Sequence, residues 1–196
     1  MADVLVDTNV LKLSIKTDAE LQRRVASERE KLRLERRAIL DLIALARRGE
    51  IFLFQNLESK IEEMFINNIS SSRRRWELWQ GVEIKSVEPP FKYSRIVAGL
   101  GLRKKQLTEI RDKVLSACQD KRFKEIAQAI GGNKNDDAYH ILSAERAGIE
   151  YLVTVDTRLI NSVRHSSIPL SVKVGYPSEL VAELAVVSSR GEGPWR

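Results

Sequence analysis

Short, almost wholly apolar runs alternate along this chain with longer stretches of helical periodicity, and two of those runs end on an aspartate. Val4-Leu5-Val6 closes on Asp7, and Tyr151-Leu152-Val153-Thr154-Val155 closes on Asp156. Strands that lack polar alternation need cover on both faces. The pattern therefore predicts an α/β fold, a three-layer α/β/α sandwich around a short central parallel sheet. Ligands in such sheets bind outside the carboxyl ends of the strands, so Asp7 and Asp156 are expected as neighbours on one sheet edge. An acid that ends a buried strand is costly unless it is used.

The rest of the chain fits that frame. From Asp18 to Arg48 there is neither Pro nor Gly, and Gly49 supplies a stop; this predicts a long helix, or two in tandem, as an extended helical insertion after the first strand. Ile51 to Phe54 reads as the second strand. Asn56 to Asn68 reads as an amphipathic helix with Leu57, Ile61, Met64 and Phe65 on one face and Glu58, Glu62 and Glu63 partly opposite. Val82 to Val87 alternates like an edge strand ahead of Pro89-Pro90. Helices are predicted over Leu102–Cys118, Arg122–Ile130 and Asp136–Ala147, followed by a helical turn near Leu159, an extended piece over Leu170–Val174 and a last helix opened by Pro177. The length suits one domain over residues 1–187, with a mobile tail from Ser188 to Arg196.

Composition narrows the classes. Lys plus Arg number 33 against 27 Asp plus Glu, a formal charge of +6, which favours a polyanionic partner such as RNA. Cys118 has no second cysteine to pair with, and the opening residues lack a basic-then-apolar secretory pattern, so a cytoplasmic location is expected. No apolar run approaches the roughly 18 residues that span a bilayer, and no membrane partner is expected.

The acidic residues carry the chemistry. A right-handed crossover places the start of the helix preceding the Asp156 strand above that strand's carboxyl end, which brings Asp136 or Asp137 to the same edge. Glu62, about two turns into its helix, can join them, with Glu58 one turn earlier as the competing choice. Carboxylates gathered this way raise one another's pKa unless a cation neutralises them. Oxygen-only ligands favour Mg²⁺ or Mn²⁺ over zinc, and His140 and His165 are isolated in the sequence. Such an ion activates water for phosphodiester hydrolysis with no covalent enzyme intermediate.

Three segments, in order, resemble the PIN-domain family. The first is Val4-Leu5-Val6-Asp7-Thr8-Asn9-Val10-Leu11. The second and most specific is Asp136-Asp137-Ala138-Tyr139-His140-Ile141-Leu142-Ser143-Ala144, continuing through Ala147-Gly148 to Asp156, and the third is Val172-Lys173-Val174 with Pro177-Ser178-Glu179-Leu180. The resemblance implies a metal-dependent endoribonuclease in which Asp7, Asp137 and Asp156 hold the ion and act in catalysis. Asp136 would be an adjacent helper, and Thr8, Asn9 and Thr154 would be supporting polar residues. For the family's helix glutamate the resemblance prefers Glu62 over Glu58 and Glu63. It also implies a toxin of a toxin–antitoxin pair as one role, with an antitoxin as protein partner, and pairing into homodimers. The length of the helical region over Asp18–Arg48 and the stretch from Ser70 to Arg95 follow no pattern of that family.

Arg73-Arg74-Arg75 with Trp76 and Trp79 combines phosphate-binding charge with rings on which unpaired bases stack, which makes Arg73, Arg74, Arg75 and Trp76 candidate RNA contacts. Two tryptophans three apart on a helix equally suit a core or a dimer contact. A phosphatase that forms an aspartyl-phosphate would need a second acid where Asn9 stands, and a dinucleotide-binding fold would need a Gly-rich turn after the first strand. The alternative in another class is a catalytically inactive PIN-like RNA-binding or assembly module.

Overall fold

The computed structural model describes residues 1–64, 69–90, 104–131 and 135–189. Five strands, β1 (Ala2–Val6), β2 (Ile51–Gln55), β3 (Ile84–Ser86), β4 (Tyr151–Val153) and β5 (Lys173–Gly175), form one sheet in the order β3-β2-β1-β4-β5. Every neighbouring pair is parallel, with Val4 opposite Leu53 and Val6 opposite Val153. The chain thus begins in the middle of the sheet, builds outward through β2 and β3, then crosses back to build outward through β4 and β5. The direction of growth reverses between β1 and β4, and in open parallel sheets ligands bind outside the carboxyl ends of the strands at such a point.

Helices cover both faces, as the apolar strands require. On one side Leu5 and Leu152 pack with Phe123, Ile126, Ile141 and Leu142, contributed by α7 (Lys121–Ala129) and α8 (Asn135–Ala147), with α6 (Lys104–Ser116) beside them. On the other side Val4, Val6, Leu53 and Val153 pack with Val10, Ile39, Ile43 and Leu180, from α1 (Thr8–Ser14), α3 (Ala26–Arg47) and α10 (Pro177–Ser189). Adjacent residues of one strand divide between the two cores because strand side chains alternate.

The region expected as a helical insertion consists of α2 (Asp18–Gln22) and α3. Thr17 and Glu20 close a reciprocal cap at the start of α2. Helix α3 is part of the sandwich itself: Ile39, Leu42 and Ile43 are buried against the sheet. Its buried Glu35 accepts hydrogen bonds from the Ser178 backbone N–H and hydroxyl, at 3.0 and 2.7 Å, and so caps α10. Gly49 and Gly148, with φ of 71° and 67°, follow α3 and α8 in the left-handed conformation that a helix end favours and a side chain resists.

Three expectations need correction. Strand β4 stops at Val153, two residues early, although the Thr154 N–H still bonds Gly175 O of β5 at 3.1 Å. The helical turn near Leu159 is a helix, α9 (Thr157–Arg164), capped by Asp156. In α4 (Leu57–Met64) the first turn is not a polar face: Glu58 and Ser59 are buried. Residues 65–68 of the expected helix, Gly132 and residues 190–196 of the expected tail lie outside the described residues; Ser188 and Ser189 are the end of α10. No helix of the described residues is long and apolar enough to cross a membrane.

Candidate metal centre

Asp7 leaves β1 at the middle of the sheet, and its backbone N–H still bonds Val153 O on β4, at 3.1 Å. It opens α1, yet its carboxylate caps no N–H of that helix. Instead Oδ2 accepts from Thr154 Oγ1 at 2.6 Å and from Asn9 Nδ2 at 3.2 Å. A side chain suited to capping is held toward the strand ends by two donors, one on each side of the reversal point. Thr154 also accepts the Asp156 N–H on the same hydroxyl, at 3.1 Å, so one threonine links both acids.

Asp156 has a second task. Its Oδ1 accepts the N–H groups of Arg158 and Leu159 at 2.8 and 3.4 Å, and the Arg158 guanidinium lies 3.3 Å from Oδ2. Burial pushes its pKa up, but the bonds from Arg158 and the helix N–H groups outweigh it, and the acid titrates below its ordinary range. It is therefore ionised near neutral pH.

Asp136 and Asp137 stand in the first turn of α8, where the helix dipole favours negative charge. They share a cleft of about 530 Å³ with Asp156, Arg158, Arg111 and Asp112. Arg111, on α6, makes ion pairs of 2.9 Å with both Glu58 and Asp136, and a 3.2 Å contact with Asp112. Burial is the largest influence on Asp136 and carries its pKa up to about 6 against the opposing pull of Arg111. On Arg111 burial acts downward, and the Glu58 hydrogen bond with the Asp136 and Glu58 charges outweighs it, so the guanidinium is held protonated more firmly than usual.

Asp7, Thr8, Asn9, Asp136, Asp137, Thr154 and Asp156 thus lie at the same sheet edge. The side chains of Glu62 and Glu63 lie outside the described residues. Of the three candidate glutamates, Glu58 is the one the structure describes at this edge, 2% exposed and paired with Arg111. Helix α5 (Ile69–Trp79) packs elsewhere: Trp79 is buried and donates Nε1 to Ser14 Oγ at 3.1 Å, Arg74 pairs with Glu20, and Arg73 pairs with Glu77. Trp76 remains 65% exposed, and no α5 residue is among those lining the acidic cleft.

Sequence reasoning missed Arg111 and the pair Asn56–His140. Asn56 Oδ1 accepts the Ser59 N–H at 2.9 Å, which turns its Nδ2 toward His140 Nδ1 at 2.6 Å. The Nδ1 atom must then accept, and the ring proton belongs on Nε2. Nothing in the sequence signals either contact, since Asn56 and His140 are 84 positions apart and Glu58 and Arg111 are 53 apart.

The donor set is chemically that of a hard divalent cation: carboxylate oxygens with hydroxyls beside them. The Thr8 hydroxyl, next to Asp7, is buried with no hydrogen-bond partner among the described residues. As they stand, no three His, Cys, Asp or Glu side chains among the described residues close on one point; Glu58 and Asp136 are neutralised by Arg111 instead. Among known proteins, no family model and no curated sequence matches this chain.

Proposed function

We propose that the chain is a ribonuclease that hydrolyses RNA phosphodiester bonds with Mg²⁺ or Mn²⁺ held by Asp7, Asp137 and Asp156. One observation carries the reading. Asp7 follows β1 directly and Asp156 lies three residues past β4, on either side of the sheet's reversal point; Thr154 ties the two, and the helix N-terminus carrying Asp137 opens onto the same cleft as Asp156. The resemblance of the three segments to PIN domains supports it, as does the formal charge of +6. A toxin acting on RNA is one role the resemblance offers, and a housekeeping or defence ribonuclease is the other.

A divalent cation here would supply Lewis-acid activation of water and offset charge developing on the phosphate. The chain's own residues do the rest. Asn9 and Thr154 fix the Asp7 carboxylate by donating to Oδ2, which restrains its rotation. Arg158, with its side chain 85% exposed beside the cleft, is a cation that can meet phosphate oxygens. Thr154 couples the orientation of Asp7 to the start of α9.

One observation favours the second reading, an inactive RNA-binding module: Arg111 already neutralises two of the acids. Cleavage of labelled single-stranded and structured RNA in Mg²⁺, Mn²⁺ or EDTA separates the two. The nuclease reading expects cutting that EDTA abolishes. RNA binding without cutting in either metal would favour the inactive module.

A further inference from the structure

Arg111 is 16% exposed, and three of its nitrogens face three different carboxylates, Glu58, Asp136 and Asp112. A surface arginine in a run of alternating charge makes one loose pair. This one instead bridges two structural elements, α4 through Glu58 and α8 through Asp136. Glu58 is 2% exposed, and a carboxylate that deep is costly unless a cation or several donors compensate it. Its neighbour Ser59 has a buried hydroxyl with no hydrogen-bond partner among the described residues. Arg111 also lines the cleft that Asp137 and Asp156 line.

We propose that Arg111 is a built-in counter-cation of the acidic edge, and that a divalent ion gains Glu58 and Asp136 only as the guanidinium leaves them. The inference rests on the cation-dependent reading above. The physical ground is competition for the same negative charge. A guanidinium and a divalent ion cannot both occupy the space between Glu58 and Asp136, and with neither in place the acids repel each other. The intrinsic affinity of the acids for metal is therefore reduced by the fraction of molecules in which Arg111 holds them. Displacement of the side chain removes the ion pairs that tie α6 to α4 and α8, leaving its apolar contacts through Leu115, so binding of the ion loosens that helix.

Two measurements test this. The first is calorimetric Mn²⁺ titration of the wild type, Arg111→Met and Arg111→Lys, with circular dichroism to show that each is folded. Arg111→Met removes the charge and keeps the stem, and is expected to bind Mn²⁺ at least about tenfold more tightly than the wild type. Arg111→Lys, whose single ammonium bridges two carboxylates poorly, is expected to fall between them. The second measurement uses the wild type alone and stands if the variants fail to fold: hydrogen exchange over Lys104–Ser116 is expected to speed up when Mn²⁺ is added. Equal or weaker Mn²⁺ binding in the folded variants, or unaltered exchange in α6, overturns the role of Arg111 while leaving a cation-binding protein. Absence of Mn²⁺ binding in wild type and folded variants alike overturns both this inference and the cation-dependent reading.

Discussion

At the scale of single residues, the centre depends on Thr154 as much as on the aspartates. Its hydroxyl donates to Asp7 and accepts from the Asp156 N–H, so Thr154→Val removes both links while keeping the shape. Loss of a bond to a buried charged group should cost about 1–2 kcal/mol of stability. Loss of ligand orientation should weaken Mn²⁺ binding by about 10–100-fold, read by calorimetry on the folded variant. Unchanged affinity would mean that Thr154 does not orient an ion ligand. Asp7 and Asp156 were legible in the sequence as candidates because their signal is local: an apolar run closed by an acid. Glu58 was not, because what decides between a solvated and a buried glutamate is an arginine on another helix. Arg111 itself sits among other charged residues of Lys104–Ser116, and only packing distinguishes it from its neighbours.

At the scale of elements, α5 divides its two tryptophans between structure and surface. Trp79 fills the core beneath α1, and Trp79→Ala should cost about 3–5 kcal/mol in urea unfolding. Trp76→Ala should alter stability by no more than about 0.5 kcal/mol. If Trp76 is an RNA contact, that same variant should lose about 1–3 kcal/mol of single-strand binding; unaltered binding returns α5 to a purely structural part. Helices α7 and α8 are clamped by Arg122, which donates to both oxygens of Glu145 at 2.8 and 2.6 Å. Burial raises the Glu145 pKa, but these bonds and the Ser171 N–H outweigh it, and the net shift is downward from 4.5. A depressed carboxylate contributes stability that is present above pH 4.5 and is lost as pH falls through its folded value. Arg122→Ala should therefore lower stability at neutral pH by about 1–2 kcal/mol and flatten the acid limb of a stability–pH curve. Asp136 runs the other way. Raised from 3.8 to about 6, it favours its protonated form in the fold and subtracts stability as pH rises across that interval. The clamp could not be read from sequence, since Arg122 and Glu145 belong to different helices.

At the scale of the whole molecule, the alternation of apolar runs and helical stretches was enough to foresee a parallel sheet with helices on both faces. The order of the strands was not, because the registers that seat β1 between β2 and β4 depend on contacts from Val4 to Leu53 and from Val6 to Val153. Nor could spacing show that the long helix after β1 is a layer of the sandwich; its apolar stripe at Ile39, Leu42 and Ile43 is masked by a heavily charged remainder. The order β3-β2-β1-β4-β5 sets β1 beside β4 and so lets Thr154 link Asp7 and Asp156, and the proposed chemistry depends on that. The most direct test is the single-turnover rate at which the wild type and Asp137→Asn cleave single-stranded RNA in Mn²⁺, with urea unfolding of both. A rate lower by at least about 100-fold in a variant that unfolds at the same urea concentration is the expected result. Equal rates, in equally stable proteins, would contradict the assignment of Asp137 and the acidic edge as the centre of reaction.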